Sequence, residues 1–285
     1  VTVVAIAIVY SVLGAIKGGR SSESVSKVVH FAAMAAVIAV VGGATASMFA
    51  LCADTLGSMS AQINTVLPLV LTLMAASGAS SCASVFQPAV AVLSGGLFNL
   101  LSVVLIPMLI AAFVFGIVGN LTSEVKLGKT SEFFSGSVKW LFGTGFFLLS
   151  AFLAVQGITA SVVDGISVRS AKFTIGKFVP VIGGYLSDGF NLVLSGSVLV
   201  KNALGYTTLV LLAVTILPVI VQIAVYSLCL KLAAAAVEPL GDKLMSDMLS
   251  SCSKTVSLTG GIMAGAAFLY FIFLLIVISS GNVIL

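Results

Sequence analysis

Long apolar runs separated by short polar or glycine-rich breaks dominate the chain. Five of these runs contain no Asp, Glu, Lys or Arg: 29–52, 97–120, 140–158, 205–230 and 260–280. A shorter run of the same kind covers residues 1–16. A helix needs about 20 apolar residues to cross the hydrocarbon core of a bilayer. The pattern therefore predicts about six full transmembrane helices. Because the first run is short for a crossing, we expect further residues to precede it.

The composition agrees with an integral membrane protein. Hydrophobic residues make up 60% of the 285 positions and charged residues only 8%, whereas soluble domains carry roughly 25% charged residues. No region shows the ten-residue alternation of a membrane β-barrel, so the predicted fold is all-α. The net charge of +4 is spread along the chain and indicates orientation in a bilayer rather than nucleic-acid binding.

Basic residues give the orientation. They gather in 17–28, 121–139 and 231–257, and none lies in 53–64 or after Ser280. Because cytoplasmic segments of membrane proteins carry an excess of Lys and Arg, the three basic segments are predicted to face the cytoplasm. The N- and C-termini are then both outside.

Two further apolar stretches, 65–96 and 171–203, must enter and leave the membrane on one side, because single crossings already connect their flanks. Small residues over 77–84 allow a tight turn in the first stretch. Each is predicted to form a re-entrant or interfacial helical hairpin. The region of the second hairpin departs from the charge rule, since Arg169 just before it and Lys172, Lys177 and Lys201 within it would lie outside.

A repeated motif links the two hairpins. Residues 86–100 read FQPAVAVLSGGLFNL and residues 178–192 read FVPVIGGYLSDGFNL, so both contain F-x-P followed after nine residues by F-N-L. We interpret the chain as one polytopic domain, 1–285, with an internal repeat in parallel orientation. Its units are 17–120, 121–230 and a partial third unit, 231–285, which holds the segment 231–257 and the final helix 260–280.

The segment 231–257 has apolar residues at roughly helical spacing. Three interpretations remain open: a helix lying flat at the cytoplasmic interface, an ordinary linker helix packed on its neighbours, and a docking site for a cytoplasmic partner.

Polar residues inside membrane segments mark functional pathways by default. Asp188 is the only acid in either motif. It is either a pore-lining carboxylate or a cap that bonds the first N–H groups of the next helix. The candidate pore or structural motif comprises Pro180, Gly183, Gly184, Tyr185, Asp188, Asn191, Pro88 and Asn99, and Gln87, Gln222 and Asp164 are further polar positions in apolar surroundings.

No pattern predicts catalysis. His30 is the only histidine, and no nucleophile elbow, P-loop or dinucleotide fingerprint is present. The four cysteines form no CxxC, so no metal site and no cofactor is expected. Any energy source must lie on another chain.

The stretch KFVPVIGGYLSDGFNLVLSGSVLVKNALG at 177–205, followed by KLAAAAVEPLGDKLMSDML at 231–249, resembles the stage III sporulation protein AE family. The specific parts are P-V-I-G-G-Y-L-S-D and a later E-P-x-x-D element, which is Glu238, Pro239 and Asp242 here. The last three residues are the candidate cytoplasmic docking element. Family members usually carry a signal peptide and an extracytoplasmic segment before this region.

The resemblance implies a multi-pass subunit in the mother-cell membrane around the forespore. Expected partners are other stage III sporulation membrane and ring proteins, a cytoplasmic ATPase on a separate chain, the lipid bilayer, and further copies of this chain. The implied role is a channel or export-gate-like subunit of a transport complex, akin to a secretion system. The alternatives are a non-conducting membrane scaffold and an ion-coupled secondary transporter that uses Asp188.

Overall fold

The computed structural model describes the backbone of residues 23–77, 79–120, 127–178, 183–240 and 243–280. Side chains are described over the same ranges, apart from 23–30, 33, 160–194 and 240. Every regular element within these ranges is helical, which confirms the all-α class.

The long helices follow one another with short breaks. We number the α-helices in chain order: α1 Glu23–Ala76, α2 Ser80–Ala91, α3 Phe98–Leu100, α4 Ile106–Val118, α5 Gly128–Phe178, α6 Gly183–Val237 and α7 Lys243–Ser279. Two π-helical segments, Val92–Leu97 and Leu101–Leu105, join α2, α3 and α4 into one interrupted helix. A 3₁₀ turn, Glu238–Leu240, follows α6.

Five described spans are long and apolar enough to cross a membrane: Met34–Ala76, Ser80–Val118, Gly128–Thr159, Ser195–Val237 and Lys243–Ser279. They overlap the five longer predicted crossings, while the predicted crossing 1–16 lies outside the described residues. Each span has between 32 and 43 residues, more than the roughly 20 that one crossing requires.

The helices extend through segments that hydropathy alone treats as connections. Residues 53–64 belong to α1, and residues 128–139 belong to α5. In the first of these, Leu56, Met59 and Ile63 are buried. Their spacing of three and four residues keeps one face against the core, so the helix continues although its polar face lowers the mean hydropathy.

The chain reverses inside the first predicted hairpin. Helix α1 ends at Ala76 and α2 begins at Ser80, so the break lies within the predicted small-residue stretch 77–84. The first arm belongs to the same helix as the preceding predicted crossing, and the second arm continues into the following predicted crossing through the two π-helical segments. In the second hairpin, α5 ends at Phe178 and α6 begins at Gly183, with residues 179–182 outside the described backbone. Re-entry into the membrane and the internal repeat both stay predictions.

The segment 231–257 contains a turn and is therefore not one helix. Helix α6 ends at Val237, the 3₁₀ turn contains Pro239, and α7 begins at Lys243. Proline lacks the N–H that helix propagation requires. On either side of the turn, Val237, Met248 and Leu249 are buried, which is the arrangement that the packed-linker interpretation expects.

The structure divides into two compact units, each drawn from three stretches of chain. Unit 1 comprises 1–54, 102–142 and 218–264, and unit 2 comprises 55–101, 143–217 and 265–285. Each unit therefore combines residues from both of the predicted full repeats.

In unit 1, α6 and α7 pack antiparallel at very short range. A Cβ atom at Gly260 would lie 2.9 Å from Cγ2 of Ile223, so any larger residue at this position would force Ile223 or one of the helices to shift. The hydroxyl oxygens of Ser227 and Ser253 are 3.1 Å apart, and Ser253 donates to the Ser227 carbonyl at 2.9 Å. Small residues and hydroxyl bonds of this kind are what hold helices together in lipid.

In unit 2, the same helices meet around a buried lysine. Lys201 is fully buried and donates to the backbone carbonyls of Ile278, at 3.1 Å, and Ser280. These carbonyls lie at the C-terminal end of α7, where helix carbonyls lack intrahelical partners and carry partial negative charge. The bonds give a structural reason for a lysine in a segment that the connectivity of the crossings, against the charge rule, predicts to be outside.

The outward surface of α6 is apolar. Large hydrophobic side chains recur there every three or four residues and are exposed: Tyr206, Val210, Val214, Leu217, Val221, Val225, Leu228 and Leu232. An apolar stripe of this length needs lipid or another apolar surface against it.

We expect Gly205→Ala to destabilise the fold by about 2 kcal/mol through overpacking. A Cβ atom at Gly205 would lie 2.8 Å from Cδ1 of Ile278. Thermal unfolding of the detergent-solubilised protein measures the effect. Gly196→Ala on the same helix is the control, because no atom lies within 4 Å of its Cβ position. Equal stability of the two variants would contradict the packing argument.

Lys201→Met is expected to lower the unfolding temperature, because it removes charged hydrogen bonds worth about 2 kcal/mol each. Lys201→Arg retains the charge and should lose less. Lys231→Met, which removes an exposed lysine of the same helix, is the control. A wild-type unfolding temperature for Lys201→Met would show that the bonds to α7 add nothing to stability.

Candidate functional site

A groove of about 820 Å³, largely apolar but with five uncharged polar side chains in its lining, lies on the first helical hairpin, within unit 2. It is formed by α1 on one side and by α2 with the first π-helical segment on the other. The lining contains no charged side chain and consists of Asn64, Pro68, Leu71, Thr72, Ala75, Ala83, Ser84, Gln87, Val90, Ala91, Ser94 and Gly95. We call this the hairpin groove.

The α1 wall of the groove combines two polar residues, Asn64 and Thr72, with the apolar residues Pro68, Leu71 and Ala75. Asn64, Pro68 and Thr72 are four residues apart, so they lie on one face of the helix. Leu67 and Met74 lie on another face and are buried. The core contacts therefore orient α1 so that its polar face lines the groove.

Hydroxyl groups in the groove are bonded within their own helices. Thr72 donates to the Pro68 carbonyl at 2.8 Å, Ser84 to Ser81 at 2.7 Å and Ser94 to Val90 at 2.8 Å. Such bonds satisfy the hydroxyl protons locally.

The amide side chains of Asn64 and Gln87 are exposed and form no hydrogen bond with another described residue. Each amide offers both donors and acceptors. The groove thus presents uncharged hydrogen-bonding groups to whatever fills it.

The π-helical segment Val92–Leu97 forms part of the groove wall. Such segments are frequent at functional sites. Gly95 lines the groove, and no atom lies within 4 Å of its Cβ position. A side chain at this position would extend into open space without a clash in the core.

The phenylalanines of the repeated motif anchor the hairpin to α7. The rings of Phe86 and Phe273 meet edge-on at a centroid distance of 6.3 Å, and those of Phe98 and Tyr270 at 6.2 Å. All four residues are buried. In the first copy of the motif, the shared phenylalanines are therefore core residues.

The other motif residues predicted as candidates are distributed differently. Pro88 and Asn99 are exposed but do not line the groove, whereas the neighbouring Gln87 does. The second copy of the motif lies outside the described side chains. Its candidate residues are Pro180, Gly183, Gly184, Tyr185, Asp188 and Asn191. The backbone shows α6 beginning at Gly183. Asp188 therefore lies inside this helix. The capping interpretation requires a helix that begins just after Asp188, and the described backbone has none there.

The candidate docking element lies at the turn between α6 and α7. Glu238 and Pro239 are exposed, and Asp242 lies outside the described residues. Its role as a docking element stays a prediction. Within the described part of the chain, no group of three His, Cys, Asp or Glu side chains could hold a metal ion.

Sequence reasoning missed most of the hairpin groove. Asn64, Thr72 and Ser84 were not singled out, because each is a single polar residue in an apolar stretch. Their common signal is the helical spacing on each side of a predicted turn.

Comparison with known proteins agrees with the sequence resemblance. The family model described as stage III sporulation protein AE matches residues 1–281. The stage III sporulation protein AE of Bacillus subtilis (strain 168) is 28% identical over 230 residues, which cover 80% of this chain. The chain spans only 57% of that relative's length. No solved structure matches. The chain belongs to the stage III sporulation protein AE family.

Proposed function

We propose that this protein is a channel or export-gate-like subunit of a sporulation transport complex that links mother cell and forespore. Family membership supports the sporulation context, and the apolar spans support a membrane location. The observation that carries the transport role is the hairpin groove, in which the exposed amides of Asn64 and Gln87 stand in a largely apolar lining without charge.

Polar side chains at membrane depth are expensive to expose to lipid. In this proposal the hairpin groove lies at membrane depth, so Asn64 and Gln87 need water, a polar solute or a polar protein surface against them. A groove open on one side encloses no path by itself. We propose that several copies of the chain, together with other stage III sporulation membrane proteins, close the groove into a conduit in the mother-cell membrane.

The chemistry of the groove suits passage better than retention. Conduction requires binding that is favourable enough for entry but weak enough for release. Amide and hydroxyl groups replace part of a solute's hydration without the strong attraction of a fixed charge. The energy source in this proposal is a cytoplasmic ATPase on a separate chain, and ring proteins continue the path outside the membrane.

Gly95→Leu should reduce transport without destabilising the protein, because the new side chain extends into the groove. Release of a small neutral sugar from proteoliposomes measures the effect. Gly57→Leu is the control, since Gly57 is in the same unit, has an open Cβ position and does not line the groove. Wild-type protein that releases no solute when assembled with its partners would favour the scaffold alternative.

Water in the groove is tested by thiol labelling in cells. The background is Cys229→Ser, because Cys229 is exposed and the other three cysteines are buried. Asn64→Cys and Gln87→Cys should react with a charged, water-soluble thiol reagent, since thiolates form where water has access. Leu69→Cys, an exposed apolar position on α1, should react far more slowly. Slow labelling at all three positions would contradict a water-filled groove.

A further inference from the structure

A second groove, of about 500 Å³, lies within unit 1 and has a different chemistry. It is formed by the first turns of α5 and by α7, and we call it the charged groove. Its lining contains two acids and two lysines among small hydroxyl residues: Glu132, Lys139, Asp247, Lys254, Ser131, Ser135, Ser250, Ser251, Thr255, Asn120, Gly128, Gly136 and Leu258.

The two helices carry the same spacing of residues. One reads Ser131-Glu132-x-x-Ser135-x-x-x-Lys139 and the other reads Ser246-Asp247-x-x-Ser250-x-x-x-Lys254. Seven residues make nearly two helical turns, so the acid and the lysine share a face about 10 Å apart. Each helix therefore presents one carboxylate and one ammonium group to the groove.

The serine before each acid fixes its helix to a neighbour. Ser131 donates to the Ala112 carbonyl at 2.7 Å, and Ser246 donates to the Ala234 carbonyl at 3.0 Å. Both serines are buried. The acids that follow them are consequently held at defined places on the wall of the groove.

The charged side chains are available to a ligand. Glu132, Lys139, Asp247 and Lys254 are all exposed, and none forms a hydrogen bond or ion pair with another described residue. The groove contains equal numbers of positive and negative groups. A ligand that carries both an anion and a hydrogen-bonding cation would match it better than a ligand with one net charge.

An apolar groove of about 560 Å³ adjoins the charged groove at Gly136, which lines both. Its other lining residues are Met108, Phe133, Ser137, Trp140 and Leu141. Phe133 and Trp140 are exposed by 67% and 70%. Trp is typical of the interface between membrane and water, where acyl chains meet headgroups.

We propose that these two adjoining grooves bind one phospholipid whose headgroup ends in a primary ammonium group, as in phosphatidylethanolamine. The phosphate interacts with Lys139 and Lys254, and the ammonium group donates to Glu132 and Asp247. An acyl chain covers Phe133 and Trp140. A purely anionic headgroup would be repelled by the two carboxylates, and a quaternary ammonium group has no N–H to donate.

Native mass spectrometry of the whole chain tests this proposal. The detergent-solubilised protein is titrated with phosphatidylethanolamine, phosphatidylcholine and phosphatidylglycerol of identical acyl chains, and with soluble glycerophosphoethanolamine. We expect phosphatidylethanolamine to bind about tenfold more tightly than phosphatidylcholine, the factor expected for a hydrogen bond to a charged group. The soluble headgroup should bind more weakly than the lipid, because it lacks acyl chains.

Variants separate the two halves of the site. Glu132→Gln combined with Asp247→Asn should abolish the preference for phosphatidylethanolamine over phosphatidylcholine. Lys139→Met combined with Lys254→Met should weaken binding of both lipids. Lys129→Met is the control, because this exposed lysine of α5 does not line the groove, and circular dichroism verifies that each variant is folded.

Several results would overturn the proposal. Equal affinity of the wild-type protein for the three lipids would exclude headgroup selection. Equal affinity for the lipid and the soluble headgroup would show that the acyl chains add nothing to binding, so the site would be one for a soluble ligand and not for a lipid. A loss of binding in Lys129→Met as large as in the double lysine variant would show that binding depends on net charge and not on the lysines of the groove.

Discussion

The close approach of α6 to α7 is the constraint on which both units depend. Lipid is as apolar as a leucine side chain, so burial of apolar surface does not drive helices together inside a membrane. The two helices meet instead through glycine and hydroxyl contacts, at Gly260 and Ser227 in unit 1. In unit 2 they meet at Gly205 and through the bonds of Lys201 to the last carbonyls of α7. Helix α7 is thereby fixed as a platform for the other elements.

The hairpin groove is a consequence of this platform. Tyr270 and Phe273 of α7 hold Phe98 and Phe86, so the hairpin packs by its aromatic face. The face that contains Asn64 and Gln87 points outward, because a helix that buries one stripe of residues exposes the opposite stripe. Exposed polar groups in such an apolar chain therefore require no special fold. They require only that the core contacts determine which stripe is buried.

The sequence predicted the helical class and the apolar spans because both follow from local composition. It predicted the break after Ala76 from small residues that favour a turn. It could not place the helix boundaries, since residues 53–64 combine a buried stripe with a polar one and their mean hydropathy resembles a loop. The charged groove was also missed, because Glu132 and Asp247 are 115 positions apart and only tertiary packing brings their helices together. Likewise, the burial of Lys201 depends on the end of α7, which lies 77 residues away along the chain.

The two grooves differ in the chemistry of their linings, and the two proposed roles differ accordingly. An uncharged lining suits the passage of a neutral solute, whereas a fixed charge at low dielectric holds its counter-ion strongly. The hairpin groove has a largely apolar lining with a few amides and hydroxyls and no charge, which fits transient contact with a moving solute. The charged groove places two lysines and two acids around a small volume, which fits a ligand that stays. Charged residues make up only 8% of the chain, so four of them around one groove is a concentration that transmembrane packing alone does not require.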